Sequence, residues 1–364
     1  MDQDGGPGSV RVAFDVTPAV VCDGGLKRYV EMLWPELARR CDLRAFAVGR
    51  GDGAALDLPA RRLAVPLRLL HPAWRLLGWP RAETFTGPVD VVHATALVPP
   101  PTRRPLVVTV HDVMPLTHPQ FFAAAAQEMQ RRQLAAARRA AAVVTTCHAT
   151  AEEIARVGDL PRERIVVAPL GVLPAESAGA GGGPVPDGPY LLAVGAITPR
   201  KGLEVLARAA SLLGPACPQV LLAGPDGWRG DEVRRALQRA DTAGRVRVLG
   251  SVDDATLRRL YAGATLVCQP TLAEGFGMPL LEAMAFGAAV VASDIPAAAE
   301  VTGGCAVLVP PGDARALADA VASLLDDPAR RAQLGAGARA HAAGFTWART
   351  ADAVASAYRM AAAA

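Results

Sequence analysis

Lysine is nearly missing from this sequence: of 38 basic residues among 364, only Lys27 and Lys201 are lysine. With abundant alanine, arginine, glycine and proline, that imbalance reflects GC-rich coding rather than function. No block gathers the positive charge, and the formal net charge is only +3, which argues against a dedicated nucleic-acid binder. The six cysteines (Cys22, Cys41, Cys147, Cys217, Cys268, Cys305) form no CxxC pair. That speaks against a zinc site or a disulfide framework and fits a reducing cytosol. No apolar run approaches the ~18 residues of a membrane span. The stretch Met1–Ser9 is polar and acidic, unlike a signal peptide. Val16–Gly25 lacks the G-x-G-x-x-G fingerprint, and no acidic residue stands at the expected strand end. A nicotinamide-dependent dehydrogenase is thereby disfavoured. The composition is 51% hydrophobic and 20% charged, so the chain can bury a core, and its length suggests two domains.

Short apolar runs alternate with amphipathic stretches. Strands are expected at Val10–Val16, Leu43–Val48, Val89–His93, Leu106–His111, Ala142–Thr146 and Arg164–Pro169. Gly25–Arg40 has Leu26, Tyr29, Val30, Leu33 and Leu37 on one helical face, with Pro35 expected to kink or shorten it. Further helices are expected over Phe122–Ala140 and Ala149–Val157. Continuous apolar strands alternating with helices indicate a parallel sheet covered on both faces. From Gly171 the chain reads GVLPAESAGAGGGPVPDGP, the best linker in the sequence. A second series follows, with strands at Tyr190–Gly195, Gln219–Gly224, Arg245–Gly250, Thr265–Gln269, Ala288–Ser293 and Cys305–Val309, and intervening helices. The expected organisation is an N-terminal Rossmann-like domain over 1–171, a linker over 172–189, and a C-terminal Rossmann-like domain over 190–345. A last helix over 346–364 is expected to pack back on the first domain. The two α/β domains would face each other across a cleft, and ligands of such sheets bind outside the carboxyl ends of the strands.

Four segments have the residue types for chemistry. In EGFGMPLLE, Glu274 and Glu282 flank a Gly-rich turn, and Pro279 suits the first position of a helix. This reading places Glu282 in the first turn of that helix. Gly275 and Gly277 permit close backbone approach near a helix N-terminus, which suits a phosphate or a sugar hydroxyl. In VGAITPRKGLE, Arg200 and Lys201 stand between a strand and a helix. Such a pair is either a solvated surface feature or an anion site, and beside the glutamate motif the anion site is favoured. DGGLK, with Gly24 and Gly25, is either an ordinary loop and cap or a phosphate-facing loop. His111 is delivered by its strand to the carboxyl edge, where it is either a satisfied structural histidine or a donor to a sugar hydroxyl or developing charge. His93 ends another strand in the same way.

Together these segments resemble the family 4 retaining glycosyltransferases, whose fold is GT-B. The family signature, a Glu, seven residues and a Glu, stands here as Glu274 and Glu282 within EGFGMPLLEAMAFGAAVVASD. The resemblance covers nearly the whole chain, through GGLKRYV, VVHATALVPP, VVTVHD, VAPLGV and YLLAVGAITPRKGLEVL. It looks closest to bacterial members that build glycans from mannose- or rhamnose-type donors. The resemblance implies that Arg200 and Lys201 neutralise the donor diphosphate. It implies that Gly275, Phe276, Gly277 and Met278 present backbone amides, and that Glu274 binds donor-sugar hydroxyls. Glu282 would hold the ribose, and His111 would face the sugar near the reacting carbon. Gly24 and Gly25 would close over the phosphates, and the base would lie along Gly250–Val252. No cofactor and no divalent metal are implied; the one DxD is Asp2 to Asp4.

The chemistry agrees with these roles. A departing diphosphate and an oxocarbenium-like sugar call for fixed positive charge and preorganised dipoles. No carboxylate is identifiable for double displacement, so a front-face mechanism is expected. The sequence departs from the family at Lys27 in the glycine loop, at VAPLGVLP, which lacks the usual Asp after Gly-Val, and at Cys147–His148. The resemblance implies a glycan, lipid-linked or small-molecule acceptor. Arg61–Arg81 mixes leucines, tryptophans and arginines. It is either a packed helical flap, the favoured reading, or a surface for peripheral contact with a membrane. The expected location is cytoplasmic. Competing readings are a sugar-nucleotide epimerase on the same fold and a non-catalytic nucleotide-sugar-binding protein.

Overall fold

The computed structural model describes residues 9–22, 24–49, 59–173, 182–183, 185–242 and 244–364. Asp2, Asp4, Asp23 and the linker positions 174–181 and 184 lie outside the described residues. The chain divides into two compact units. The first takes the residues up to Pro119, Ala123–Gly171 and Trp347–Ala364; the second takes Val172–Thr346 with Gln120–Phe122.

The first unit holds seven strands: β1 (Arg11–Asp15), β2 (Asp42–Val48), β3 (Arg61–Leu63), β4 (Val91–Ala94), β5 (Leu106–Thr109), β6 (Ala142–Thr145) and β7 (Ile165–Val167). They form one parallel sheet in the order β3-β2-β1-β4-β5-β6-β7. Strands β4 and β6 are buried at every residue, as expected of a sheet with helices on both faces. One face packs Val108, Leu134, Val143 and Ile154. Another cluster gathers Phe46, Leu70, Trp74 and Val92. The helix Trp347–Ala362 belongs to this unit and buries Trp347, Val354 and Tyr358 against it. Thr350 Oγ1 donates to the Pro169 carbonyl at 2.6 Å, and Arg40 pairs with Asp352 at 2.6 Å.

The second unit holds β8 (Tyr190–Val194), β9 (Gln219–Ala223), β10 (Val246–Gly250), β11 (Leu266–Gln269), β12 (Val290–Ser293) and β13 (Val307–Val309). These strands are also all parallel, in the order β10-β9-β8-β11-β12-β13. Both units are therefore Rossmann-like. Each sheet reverses its direction of growth once, between β1 and β4 in the first and between β8 and β11 in the second. Those switch points are where loops diverge and leave room for a ligand.

Several local expectations are corrected. The helix Gly25–Ala38 runs on through Pro35 and ends two residues short of Arg40. A short helix, Thr17–Val21, stands between β1 and the glycine pair, so the Gly24–Gly25 loop does not follow the strand directly. Strand β5 stops at Thr109, and His111 lies two residues beyond it. His93 does not end its strand: it lies inside β4, fully buried opposite Phe14. The segment Arg61–Arg81 contains edge strand β3 and the helix Leu67–Leu77.

Candidate functional site

The second unit carries the densest constellation, and it sits at that unit's switch point. After β8 the chain turns through Gly195 to a single 3-10 turn, Pro199–Lys201. After β11 it runs through Pro270 to Glu274 and then into the helix Met278–Ala285. The two loops interlock. Leu272 N donates to the Arg200 carbonyl at 2.7 Å. Gly202 adopts φ +59°, and a Cβ there would stand 2.2 Å from the Pro270 carbonyl oxygen. Glycine is thus required for both the backbone conformation and the contact.

This interlock brings three charges together. Lys201 Nζ donates to Glu274 Oε2 at 2.5 Å, and Arg200 Nη1 donates to the same oxygen at 3.2 Å. Arg200 also donates to the Ala273 carbonyl at 3.2 Å. The Lys201 and Glu274 side chains are only 6% and 15% exposed, so the pair works in a medium that screens it weakly. Burial raises the Glu274 carboxyl, but Lys201 and then Arg200 outweigh it and hold it down at about 2. Burial pulls the Lys201 ammonium below its ordinary value, with Glu274 opposing. Two cations against one carboxylate leave one positive charge uncompensated within the triad. That surplus is what an anion would meet.

The other residues fall around this triad with some changes. Gly277 takes φ +105° and begins the helix Met278–Ala285, with Pro279 near its start. Gly275, Phe276 and Gly277 are buried, and the Phe276 ring packs edge-on against Phe345 at 6.3 Å. Glu282 is the fifth residue of its helix, so it lies in the second turn, not the first. The difference arises because the helix begins at Met278, one residue before Pro279. Tyr261 Oη donates to Glu282 Oε2 at 3.0 Å. Gly250 ends β10 with φ +74° and open space where a Cβ would stand, and Val252 follows half-buried. Sequence reasoning missed Gln269, Thr271 and Ser293, which line a small cavity together with Lys201, Glu274 and Gly277. Their signal was their position at or just beyond the ends of β11 and β12.

The first unit carries His93 and His111. His111 is buried at its ring: among the described residues Nε2 has no hydrogen-bond partner, and Tyr29 packs edge-to-face at 4.7 Å. Burial lowers its imidazolium to about 4, so the ring is neutral near pH 7. His93 is different, because both of its nitrogens are taken. Nδ1 meets Tyr358 Oη at 2.7 Å and Nε2 meets Thr109 Oγ1 at 2.7 Å. Thr109 Oγ1 in turn meets Tyr29 Oη at 3.2 Å. His93 is thus a satisfied structural histidine, one that ties the helix Trp347–Ala362 to the sheet. Gly24 takes φ +77° at the start of the helix Gly25–Ala38, and among the described residues beyond their chain neighbours nothing lies within 4 Å of where a Cβ would stand on Gly24 or Gly25.

Two Rossmann-like units, each built on one parallel sheet, give the chain the GT-B fold of solved glycosyltransferases. Residues 23–176 match the model of Glycosyltransferase Family 4, and residues 188–327 match that of Glycosyl transferases group 1. The chain belongs to this family.

Among relatives, the O-antigen chain mannosyltransferase B of Escherichia coli is 28% identical over 86% of this chain and 84% of that protein. The phosphatidyl-myo-inositol mannosyltransferase of Mycolicibacterium smegmatis is 43% identical, over 37% of this chain and 35% of that protein. The D-inositol 3-phosphate glycosyltransferase of Nocardia farcinica is 34% identical, over 57% of this chain and 51% of that protein. Among solved structures, sucrose-phosphate synthase from Thermosynechococcus elongatus aligns with a TM-score of 0.75 at 24% identity, over 96% of this chain and 98% of that one. WaaG, a glycosyltransferase involved in lipopolysaccharide biosynthesis, aligns with a TM-score of 0.70 at 19% identity, over 94% and 98%. These likenesses establish the fold. Among the described residues, no helix is long and apolar enough to cross a membrane.

Proposed function

We propose that this glycosyltransferase moves a hexose from a nucleotide-diphosphate sugar to a glycan, lipid-linked or small-molecule acceptor, with retention of anomeric configuration and without a divalent metal. The observation that carries the reading is the convergence of Arg200 and Lys201 on Glu274 at the switch point of the second sheet. The donor belongs to this unit. Arg200 and Lys201 hold the diphosphate and stabilise the charge it acquires as the glycosidic bond breaks. Backbone amides from Gly275 to Met278 meet phosphate and sugar oxygens at the helix start. Glu274 accepts from the sugar hydroxyls and favours positive charge on the sugar ring. Glu282 holds the ribose, and the base lies along Gly250–Val252.

The acceptor belongs to the first unit. Gly24 and Gly25 offer a phosphate-facing loop, and His111 offers the transferring sugar a neutral hydrogen-bond group. Its unpartnered Nε2 supports that role, because a buried ring nitrogen without a partner is costly. In the transfer step the bond from anomeric carbon to phosphate oxygen breaks, and the acceptor oxygen bonds to that carbon from the same face. The departing phosphate oxygen takes the acceptor proton.

The relatives' names include a mannosyltransferase and a phosphatidylinositol mannosyltransferase. They favour a mannose-type donor and keep a lipid-linked acceptor in view. The helix Leu67–Leu77 adds to this. Leu69, Leu76, Leu77 and Trp79 are 60–73% exposed, and Arg68 and Arg75 are exposed beside them. No Asp or Glu occurs between Leu58 and Ala82. Such a surface suits peripheral contact with anionic headgroups at the cytoplasmic face. The free cysteines suit a reducing compartment.

The deciding experiment is a thermal-shift screen of UDP, GDP, ADP and dTDP and their hexose conjugates, with and without magnesium. A ligand at ~100-fold its dissociation constant adds about 2.7 kcal/mol. A metal-independent shift with one nucleotide supports the reading. No shift with any of them, followed by no turnover, refutes it. NMR of the product's anomeric carbon tests retention.

A further inference from the structure

The loop Gly224–Gly230, Gly-Pro-Asp-Gly-Trp-Arg-Gly, leaves β9 at the carboxyl edge of the second sheet. It is fastened to the Arg200–Lys201 loop. Ile197 N donates to the Pro225 carbonyl at 2.8 Å, and Gly227 N donates to the Ile197 carbonyl at 3.2 Å. Ile197 and Asp226 form a parallel bridge. A Cβ at Gly224 would stand 2.2 Å from the Gly195 oxygen, and one at Gly227 would stand 2.5 Å from Thr198 Cγ2. The two backbones touch at Gly224, and at Gly227 the loop lies against the Thr198 side chain, where an added side chain would part them. On the other side, Gly224 N donates to the Gly250 carbonyl at 2.8 Å. The loop is thus bonded to the ends of both β8 and β10.

At its tip stands Trp228, 39% exposed. Arg229 follows at φ +57°, one of two non-glycine residues in the left-handed region among those described. Its guanidinium lies 5.2 Å from the Trp228 ring centroid and also pairs with Glu232. Asp226 is held in a fork by Arg234 at 2.8 and 3.1 Å. An indole kept at the surface by a strained neighbour and a fastened loop is a preorganised aromatic face. Holding it this way lowers the ordering cost of whatever stacks on it.

We propose that Trp228 is the stacking platform for the nucleobase of the donor, with Arg229 backing the ring. The inference rests on the reading of Arg200 and Lys201 as the diphosphate site. Strand order carries it from there, because β9 lies between β8 and β10. The diphosphate is assigned to the loop after β8 and the base to Gly250–Val252 after β10. A nucleotide spanning those two edges passes the end of β9, where Trp228 is the exposed ring. Stacking on an aromatic face is tolerant of base identity, so Trp228 contributes affinity for the nucleoside while the β10 edge selects among bases.

The test separates nucleoside from diphosphate. Calorimetry measures inorganic pyrophosphate and UDP, GDP, ADP and dTDP against the wild-type protein, Trp228→Ala, Trp228→Phe and Arg200→Ala. Each variant is first confirmed to melt as a folded protein. In the wild type the preferred nucleoside diphosphate binds more tightly than pyrophosphate and quenches indole fluorescence. Trp228→Ala loses at least tenfold in nucleoside diphosphate affinity, ~1.4 kcal/mol, with pyrophosphate unchanged and the quenching gone. Trp228→Phe recovers most of the affinity, and Arg200→Ala weakens both ligands. Unchanged nucleoside diphosphate affinity in Trp228→Ala, with Arg200→Ala weakened, overturns this inference alone. Equal loss of both ligands in Trp228→Ala also overturns it, since the loop then acts only through the phosphate site. A wild type that binds no nucleoside diphosphate overturns both the inference and the reading beneath it.

Discussion

Lys201 Nζ and Glu274 Oε2 stand 2.5 Å apart although 73 residues separate them in the chain. Both side chains are largely withdrawn from water, so the pair is stabilising only while it stays complete. Glu274→Gln leaves a buried ammonium without its counter-charge and should cost about 3–5 kcal/mol in urea denaturation. Adding Lys201→Met to that variant should recover at least half of the loss, with turnover absent in both. Unchanged stability in Glu274→Gln would mean that the ammonium is solvated rather than buried.

Acid should weaken the fold in two stages. His93 and His111 are held at about 3 and about 4 by burial, against ~6.5 in an unfolded chain. Below pH ~6.5 the unfolded state therefore binds protons that the folded state refuses. Stability is full above that pH and falls by about 1.4 kcal/mol per pH unit for each histidine down to its folded value. Glu274, held at about 2, adds a later loss as pH falls from ~4.3 through that value. Urea midpoints at pH 7.5, 6 and 5 should decline in that order. A flat series would show that the histidines are open to water.

The same burial predicts a missing feature in the kinetics. With His111 neutral down to about 4, kcat should carry no inflection near pH 6.5. A pH–rate profile with an acidic limb centred there would place a solvated histidine in the reaction.

Gly202→Ala combines a positive φ with a clash against the Pro270 oxygen. The substitution should cost at least ~2 kcal/mol. Because Lys201 is its neighbour, nucleotide affinity should fall with stability. Thermal melts with and without nucleotide check both effects. A variant with native stability and affinity would show that the two loops are not packed as described.

Tyr358→Phe removes the partner of His93 Nδ1 and leaves a buried nitrogen unsatisfied. The expected cost is about 1–3 kcal/mol, read by chemical denaturation. A His93→Leu,Tyr358→Phe pair should lose less than the sum of the single losses. Additive losses would break the link between the last helix and β4.

The parallel strands were legible because burial on both faces forces apolar runs such as Leu106–Val108 and Tyr190–Gly195. Strand β3 was not, since two of its three residues are exposed arginines on a sheet edge. The short helices Thr17–Val21, Met114–Thr117 and Pro296–Thr302 are too brief to show a period. Glu274 and the Arg200–Lys201 pair were each legible from their motifs. Their mutual contact was not, because it depends on how Gly202 lets one loop lie against Pro270. Trp228 gave no sequence signal, since an aromatic residue in a Gly-Pro loop reads as ordinary surface.

The return of Trp347–Ala362 to the first unit has a consequence for the order of events in synthesis. The pocket that receives Tyr358, between His93 and the helix Gly25–Ala38, is laid down early, yet its filling comes only after Thr346. Throughout translation of the whole second unit, the first must wait with an apolar seam uncovered. The second unit, continuous from Val172 to Thr346 apart from three residues, has no such wait. Released chains truncated just past Thr346 should then hold a folded second half beside an unfinished first one, the reverse of the usual order in which domains mature.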